Sequence, residues 1–198
     1  MDKELLKSLQ SYYICLVKII NKWNTIKKNT EKAIANLRNS CQQLRCVTSE
    51  EVDNANICKI EFMRDKLIFK INLGIEEEIE QIDKAIKSLG VLNSELKSKL
   101  NNLETTRAKV STDDPKIIQI IEGTPRRAKL SLLLEWAMIS QEYYQQLYQD
   151  INERLKSIKR NDEKTVLLLI SAFEENQESK TQIERILVFT KFLIEETI

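Results

Sequence analysis

Residues 2–46 read DKELLKSLQSYYICLVKIINKWNTIKKNTEKAIANLRNSCQQLRC. Leu5, Leu9, Tyr12, Leu16, Ile19, Trp23, Ile26, Thr30, Ala33 and Leu37 follow one another here at alternating steps of four and three. Such steps make a heptad seam, which keeps one apolar stripe along one side of an α-helix. The stripe continues through Cys41 and Leu44. At ~1.5 Å per residue the helix would be about 70 Å long. Asp2 and Glu4 suit its N-terminus, where the helix dipole is positive. A stripe of this length has to be laid on something, so the stretch points to partner surfaces rather than to a catalytic pocket.

A second helix is predicted from Ile57 or Lys59 to about Lys109, after a connection over Val47 to Asn56. Its stripe is Ile60, Met63, Leu67, Ile71, Ile75, Ile79 or Ile82, Ile86, Leu89, Leu92, Leu96, Leu100 and Leu103. Successive steps of four make this stripe drift around the helix. Glu80–Lys84 and Asp83–Lys87 place acid before base at four residues, the favourable order. Gly74 and Gly90 are interior glycines, each marking a close helix approach or a bend, or simply tolerated. Two long amphipathic helices with a short connection predict an antiparallel hairpin.

The composition agrees and excludes much. Gly numbers 3 and Pro 2 in 198 residues, which leaves little room for hairpin turns or phosphate loops. Hydrophobic residues are 42% and charged residues 31%, a mixture suited to amphipathic helices and unlike that of disordered chains. The formal net charge is +1, so the broad positive field that drives nucleic-acid binding is missing. There is no His, which removes imidazole metal sites, Ser-His-Asp and Cys-His arrangements and the commonest general base. Cys15, Cys41, Cys46 and Cys58 form no Cys-x-x-Cys pair and read as structural thiols. No signal peptide or membrane span is expected, the longest apolar run being Val166 to Ile170. The expected setting is a reducing, intracellular one.

Beyond Lys109 the pattern is interrupted. Thr112-Asp113-Asp114-Pro115 reads as a turn, with Asp114 capping a short helix from Pro115 through Ile121 that Ile117, Ile118, Ile120 and Ile121 anchor. Thr124-Pro125 reads as the start of a third long helix, a capping hydroxyl followed by Pro at the first helical position. Its stripe is Leu132 or Leu133, Trp136, Ile139, Tyr143, Leu147, Ile151, Leu155 and Ile158, and it ends at Lys159-Arg160. Asn161 or Asp162 caps a fourth helix through Val166 to Phe173; after a polar break a last helix starts near Lys180. The expected fold is therefore all-α: an elongated, coiled-coil-like antiparallel hairpin over 1–110, a linker with a short helix over 111–124, and a three-helix C-terminal segment over 125–198 packing on the hairpin.

Glu76, Glu77, Glu78 and Glu80 are the densest acidic run, but neighbours on a helix do not converge on one cation, so they read as a solvated face. Arg126, Arg127 and Lys129 fall in the first turn of the third helix, where positive charge opposes the dipole; an acidic partner or a solvated cluster both fit. Trp136, Tyr143 and Leu147 share a core face, while Tyr144 and Tyr148 lie on an adjacent one and serve either as interface anchors or as packing on the hairpin. No cofactor, no metal and no enzymatic activity are expected.

Leu134-Glu135-Trp136, then Tyr144 and Tyr148, then Leu155 to Ile158 resemble the C-terminal helical segment of the AIRIM family of ribosome maturation factors. Ile186-Leu187 followed by Phe192-Leu193-Ile194-Glu195-Glu196 is similar to the family's apolar ending on two acids. Trp23, Leu67, Ile71 and Leu89 match in spacing, while 111–124 departs from the family and is shorter. The resemblance implies a non-catalytic adaptor that forms a heterodimer with a CINP-like helical protein and docks on an AAA+ ATPase hexamer. It further implies a role in cytoplasmic maturation of the large ribosomal subunit and in protein turnover at replicating chromatin, hence cytoplasm and nucleus, with no membrane and no direct sequence-specific nucleic-acid contact. Trp136, Tyr144, Tyr148, Phe192, Leu193, Arg126 and Arg127 are the candidate partner contacts. Rival readings are the CINP-like half of the same pair, or a structural coiled coil of the kinetochore or tether type.

Overall fold

A computed structural model describes residues 2–50, 62–110, 117–159 and 162–195. The fold is all-α. The helices are α1 (Asp2–Thr48), α2 (Met63–Ala108), α3 (Ile118–Glu122), α4 (Leu130–Lys156), α5 (Glu163–Ala172) and α6 (Gln177–Glu195). The expected start of α2 at Ile57 or Lys59, its stripe residue Ile60, Cys58, and the turn over Thr112 to Pro115 lie outside the described residues.

The opening seam is buried along its length, from Leu5 through Thr30 and Ala33 to Leu37, Cys41 and Leu44. Fully burying each large member contributes roughly 1.5–3 kcal/mol, so the seam alone commits α1 to a folded partner surface. α2 buries Ile71, Ile75, Ile82, Ile86, Leu89, Leu96, Leu100 and Leu103. At Leu92 the expected stripe gives way: Leu92 is half-buried and Asn93 is interior instead. The reason is a hydrogen bond, Asn93 Nδ2 donating to the Tyr144 carbonyl at 2.9 Å. The ion pairs Lys84–Glu80 and Lys87–Asp83 both close at 2.6 Å. Being exposed, they contribute little.

The chain forms two compact units, the first from three separate segments and the second from two. The first comprises residues to Trp23, Leu89–Tyr148 and Glu175 onward. In it α1 and α2 run antiparallel, Asn102 Nδ2 donating to Ser8 Oγ at 3.2 Å while Glu95 faces Cys15. α4 lies against α1, since Tyr12 Oη donates to the Ala137 carbonyl and Tyr13 Oη to the Leu133 carbonyl, both at 2.5 Å. α6 joins through Gln10 Nε2, which donates to the Leu193 carbonyl at 2.9 Å. The second unit comprises Asn24–Ser88 and Gln149–Glu174. There the α1–α2 pairing is again antiparallel: Asn36 Nδ2 donates to Glu78 Oε1 at 2.8 Å, and Arg64 Nε to the Val47 carbonyl at 2.9 Å. Val166 and Leu169 are the buried side of α5, with Phe173 buried at its C-cap.

Three expected boundaries move. Thr124-Pro125 does not start α4. Thr124 N–H donates to the Arg127 carbonyl at 2.8 Å and Arg127 N–H to the Thr124 carbonyl at 3.1 Å, closing a tight turn. Proline's fixed φ serves the second position of a turn as well as the first of a helix, and the residues alone did not separate the two. α4 begins at Leu130, so Arg126, Arg127 and Lys129 precede the helix rather than opposing its dipole from the first turn. It ends at Lys156 rather than at Lys159-Arg160. α6 starts at Gln177 rather than Lys180, because Asn176 Oδ1 accepts from Glu178 N–H at 2.8 Å and from Ser179 N–H at 3.4 Å. That is an N-cap. The expected cap of α5 does form, Asp162 accepting from Lys164 N–H. In the α3 segment Ile117 and Ile120 are buried, whereas Ile118 is exposed.

Candidate interaction surface

The inward face of α4 is shifted from the predicted stripe. Leu130, Leu133, Ala137, Ser140, Tyr144, Ile151 and Leu155 are buried; Trp136, Ile139, Tyr143 and Leu147 are only half-buried. The small residues Ala137 and Ser140 explain the shift. They let the Tyr12 ring reach the helix, and its hydroxyl lies 2.9 Å from Ser140 Oγ. A bulky, apolar stripe drew attention to Trp136 and Tyr143, but close packing selects the small residues.

Trp136 is thereby left at the margin, where it stacks on Phe189 of α6 with centroids 5.6 Å apart and planes 24° apart. α6 buries Ile183, Ile186, Thr190 and Leu193 at steps of three and four. Its outer side carries Val188, Phe189 and Phe192, exposed by 69%, 58% and 52%. Two large aromatics on one turn of a surface helix, braced by a tryptophan, form an apolar patch of the kind that anchors protein partners.

The candidate contacts therefore separate. Trp136 and Phe192 lie at this patch. Tyr144 and Leu193 are 3% and 1% exposed and belong to the chain's own interior. Tyr148 is half-buried and lies across Gly90 of α2. Arg126 is exposed in the turn before α4, and Arg127 donates through Nη2 to the Gln119 carbonyl at 3.3 Å. The residues place Phe189 on the apolar stripe of the terminal helix with Ile183, Ile186, Leu187, Leu193 and Ile194, whereas it stands exposed; Val188 has no place in that stripe.

Glu175 is a residue that the sequence reading missed. It sits in the break between α5 and α6, and its Oε1 accepts from Trp23 Nε1 at 2.7 Å and from Tyr143 Oη at 3.1 Å. A buried indole N–H needs an acceptor, so Trp23 in the seam signalled that one exists. Nothing in the spacing pointed to a residue so far along the chain. Desolvation by burial, with the Glu175 carboxylate beside it, pushes the Tyr143 hydroxyl well above the ordinary tyrosine range.

Among the described residues no three His, Cys, Asp or Glu side chains come together as a metal site, and no helix is long and apolar enough to cross a membrane. Cys15 and Cys41 are buried and Cys46 is exposed. Burial, with Glu95 beside it, pushes the Cys15 thiol up to about 11, away from the reactive thiolate form.

Long antiparallel helices with an exposed aromatic patch on the outer side of the last helix define an all-α protein. Residues 3–192 match the C1orf109-like family of ribosome biogenesis proteins, and the chain belongs to that family. C1orf109 is AIRIM, so the resemblance carried by Leu134-Glu135-Trp136 and the terminal helix leads to the same family. No curated protein matches the chain significantly.

Proposed function

We propose that this ribosome biogenesis protein is a non-catalytic adaptor that pairs with a CINP-like helical protein and docks on an AAA+ ATPase hexamer during maturation of the large ribosomal subunit. Its task there is to help release a maturation factor for recycling, and the same assembly serves protein turnover at replicating chromatin, so the chain works in cytoplasm and nucleus. The observation that carries the reading is the α6 outer side, where Phe189 and Phe192 stand exposed while Ile183, Ile186, Thr190 and Leu193 of that helix are buried. Family membership over residues 3–192 supplies the process. Desolvating a few such aromatics supplies most of the energy of a typical interface, roughly 2 kcal/mol or more for each anchor.

The test is affinity purification of the tagged full-length chain with mass spectrometry of its companions, beside the double variant Phe189→Ala, Phe192→Ala. The native chain should bring down a small helical partner, the ATPase and large-subunit precursors. The variant should lose the helical partner while its circular dichroism stays native. Full retention of that partner by the variant removes the patch from the interface. Recovery of the native chain as a homodimer without the ATPase would favour the structural coiled-coil reading.

A further inference from the structure

Thr124-Pro125 is the only Ser/Thr-Pro dipeptide in the sequence, the other proline following Asp114. Arg126 and Arg127 come next, so the threonine has proline directly after it and arginine three residues on. The structure takes this threonine out of any helix. Thr124, Pro125 and Arg126 are exposed in the turn between α3 and α4. The Thr124 hydroxyl accepts from the Arg126 N–H at 3.3 Å and is otherwise on the surface. Elsewhere the buried hydroxyls Thr30, Thr106, Ser140 and Thr190 donate to carbonyls one helical turn back.

We propose that Thr124 is a phosphoacceptor for a proline-directed serine/threonine kinase. Kinases of this class accept a substrate whose following residue has no N–H, and they read a cation three residues on with acidic side chains. Proline supplies the first requirement and Arg127 the second. The segment must straighten to enter such a site. What holds it bent is a pair of backbone hydrogen bonds between Thr124 and Arg127, together with the Arg126 N–H on the Thr124 hydroxyl. The hydrogen bond of the Arg127 guanidinium to the Gln119 carbonyl must also open for Arg127 to be read. Gly123, at φ 81°, precedes it with the freedom to swing, and no core side chain has to leave the interior. In the transfer step Thr124 Oγ attacks the γ-phosphorus of ATP. The Oγ–P bond forms, the bond from phosphorus to the β–γ bridging oxygen breaks, ADP leaves with that electron pair, and the hydroxyl proton passes to the kinase's base.

The product changes the local field. Arg126, Arg127 and Lys129 cluster here, and a phosphate of about −1.5 to −2 offsets roughly half to two-thirds of their charge. It also brings an anion ahead of α4, whose first turn has no acidic residue. A basic contact for an acidic partner is thereby switched toward neutral.

The test labels the intact chain with γ-³²P-ATP and a purified proline-directed kinase, beside a peptide of residues 119–132 and the variants Thr124→Ala and Arg127→Ala. Expected are labelling of chain and peptide, mapping of the phosphate to Thr124 by mass spectrometry, and a fall to background in Thr124→Ala. Arg127→Ala should slow labelling of both. Undiminished labelling of Thr124→Ala overturns the proposal. So does labelling of the peptide alone, which would show the folded turn withholding the threonine, and so does labelling of neither.

Discussion

Tyr148 lies so close over Gly90 that a β-carbon on the glycine would stand 2.8 Å from the tyrosine ring. Gly74, in the same helix, has nothing within 4 Å of that position. The two glycines therefore answer differently to the same change. Gly74→Ala should stabilise by up to about 1 kcal/mol through helix propensity. Gly90→Ala gains the same propensity but has to displace the ring, an overpacking cost of roughly 1–3 kcal/mol. Urea midpoints should rank Gly74→Ala above native and Gly90→Ala at or below it. In a Tyr148→Ala background the Gly90→Ala penalty should vanish; its persistence would mean that the ring is not the obstacle.

Tyr12→Phe and Tyr13→Phe each remove a buried hydroxyl donated to an α4 carbonyl. Each should cost about 1 kcal/mol, because the net worth of one buried hydrogen bond is of that size. Chemical denaturation followed by circular dichroism reads this directly. Tyr12→Phe should cost slightly more, since Ser140 also loses a neighbour.

Replacing Glu175 tests the aromatic clamp. Glu175→Gln keeps an acceptor for Trp23 and Tyr143 and should be mild. Glu175→Ala leaves a buried indole N–H without that acceptor and should cost roughly 1–3 kcal/mol. Trp23 fluorescence should shift only in the alanine variant. Equal behaviour of the two variants would show that the hydrogen bonds at this corner are immaterial.

High pH should undo the first unit. Desolvation by burial holds the hydroxyls of Tyr12, Tyr13 and Tyr144 well above the ordinary value of 10.0. A folded-state pKa above the unfolded one means that the unfolded chain loses its proton first. Stability is thus full below about pH 10 and falls as pH rises toward the folded values, by up to about 1.4 kcal/mol per unit for each tyrosine. Urea midpoints near pH 8 and pH 10.5 should differ accordingly, and tyrosinate absorbance should appear together with loss of helix. Smooth titration of these tyrosines in an intact helical chain would contradict the burial.

How much of this was legible depended on the kind of signal. The seam from Leu5 to Leu37 was readable because a period of 3.5 repeated many times has one physical meaning, and every residue named in it is buried. A cap at Asn161 or Asp162 was readable because the role is local, and Asp162 fills it. Thr124-Pro125 was misread because a helix start and a turn ask the same φ of proline. The α4 face was misread because size was taken as the mark of burial, whereas Ala137 and Ser140 admit the tyrosines of α1 by being small. Glu175 could not be read at all, since its partners Trp23 and Tyr143 are set by tertiary packing. Asn93 likewise owes its interior place to one distant carbonyl.

Gln10 finds its acceptor 183 residues later, and Trp23 its acceptor 152 residues later. A growing chain can thus lay α2 and then α4 on its first helix, but it cannot finish covering that helix until α6 has been translated. Closure over such separations is slow. Products truncated before α6 should leave part of the seam bare and be prone to aggregate.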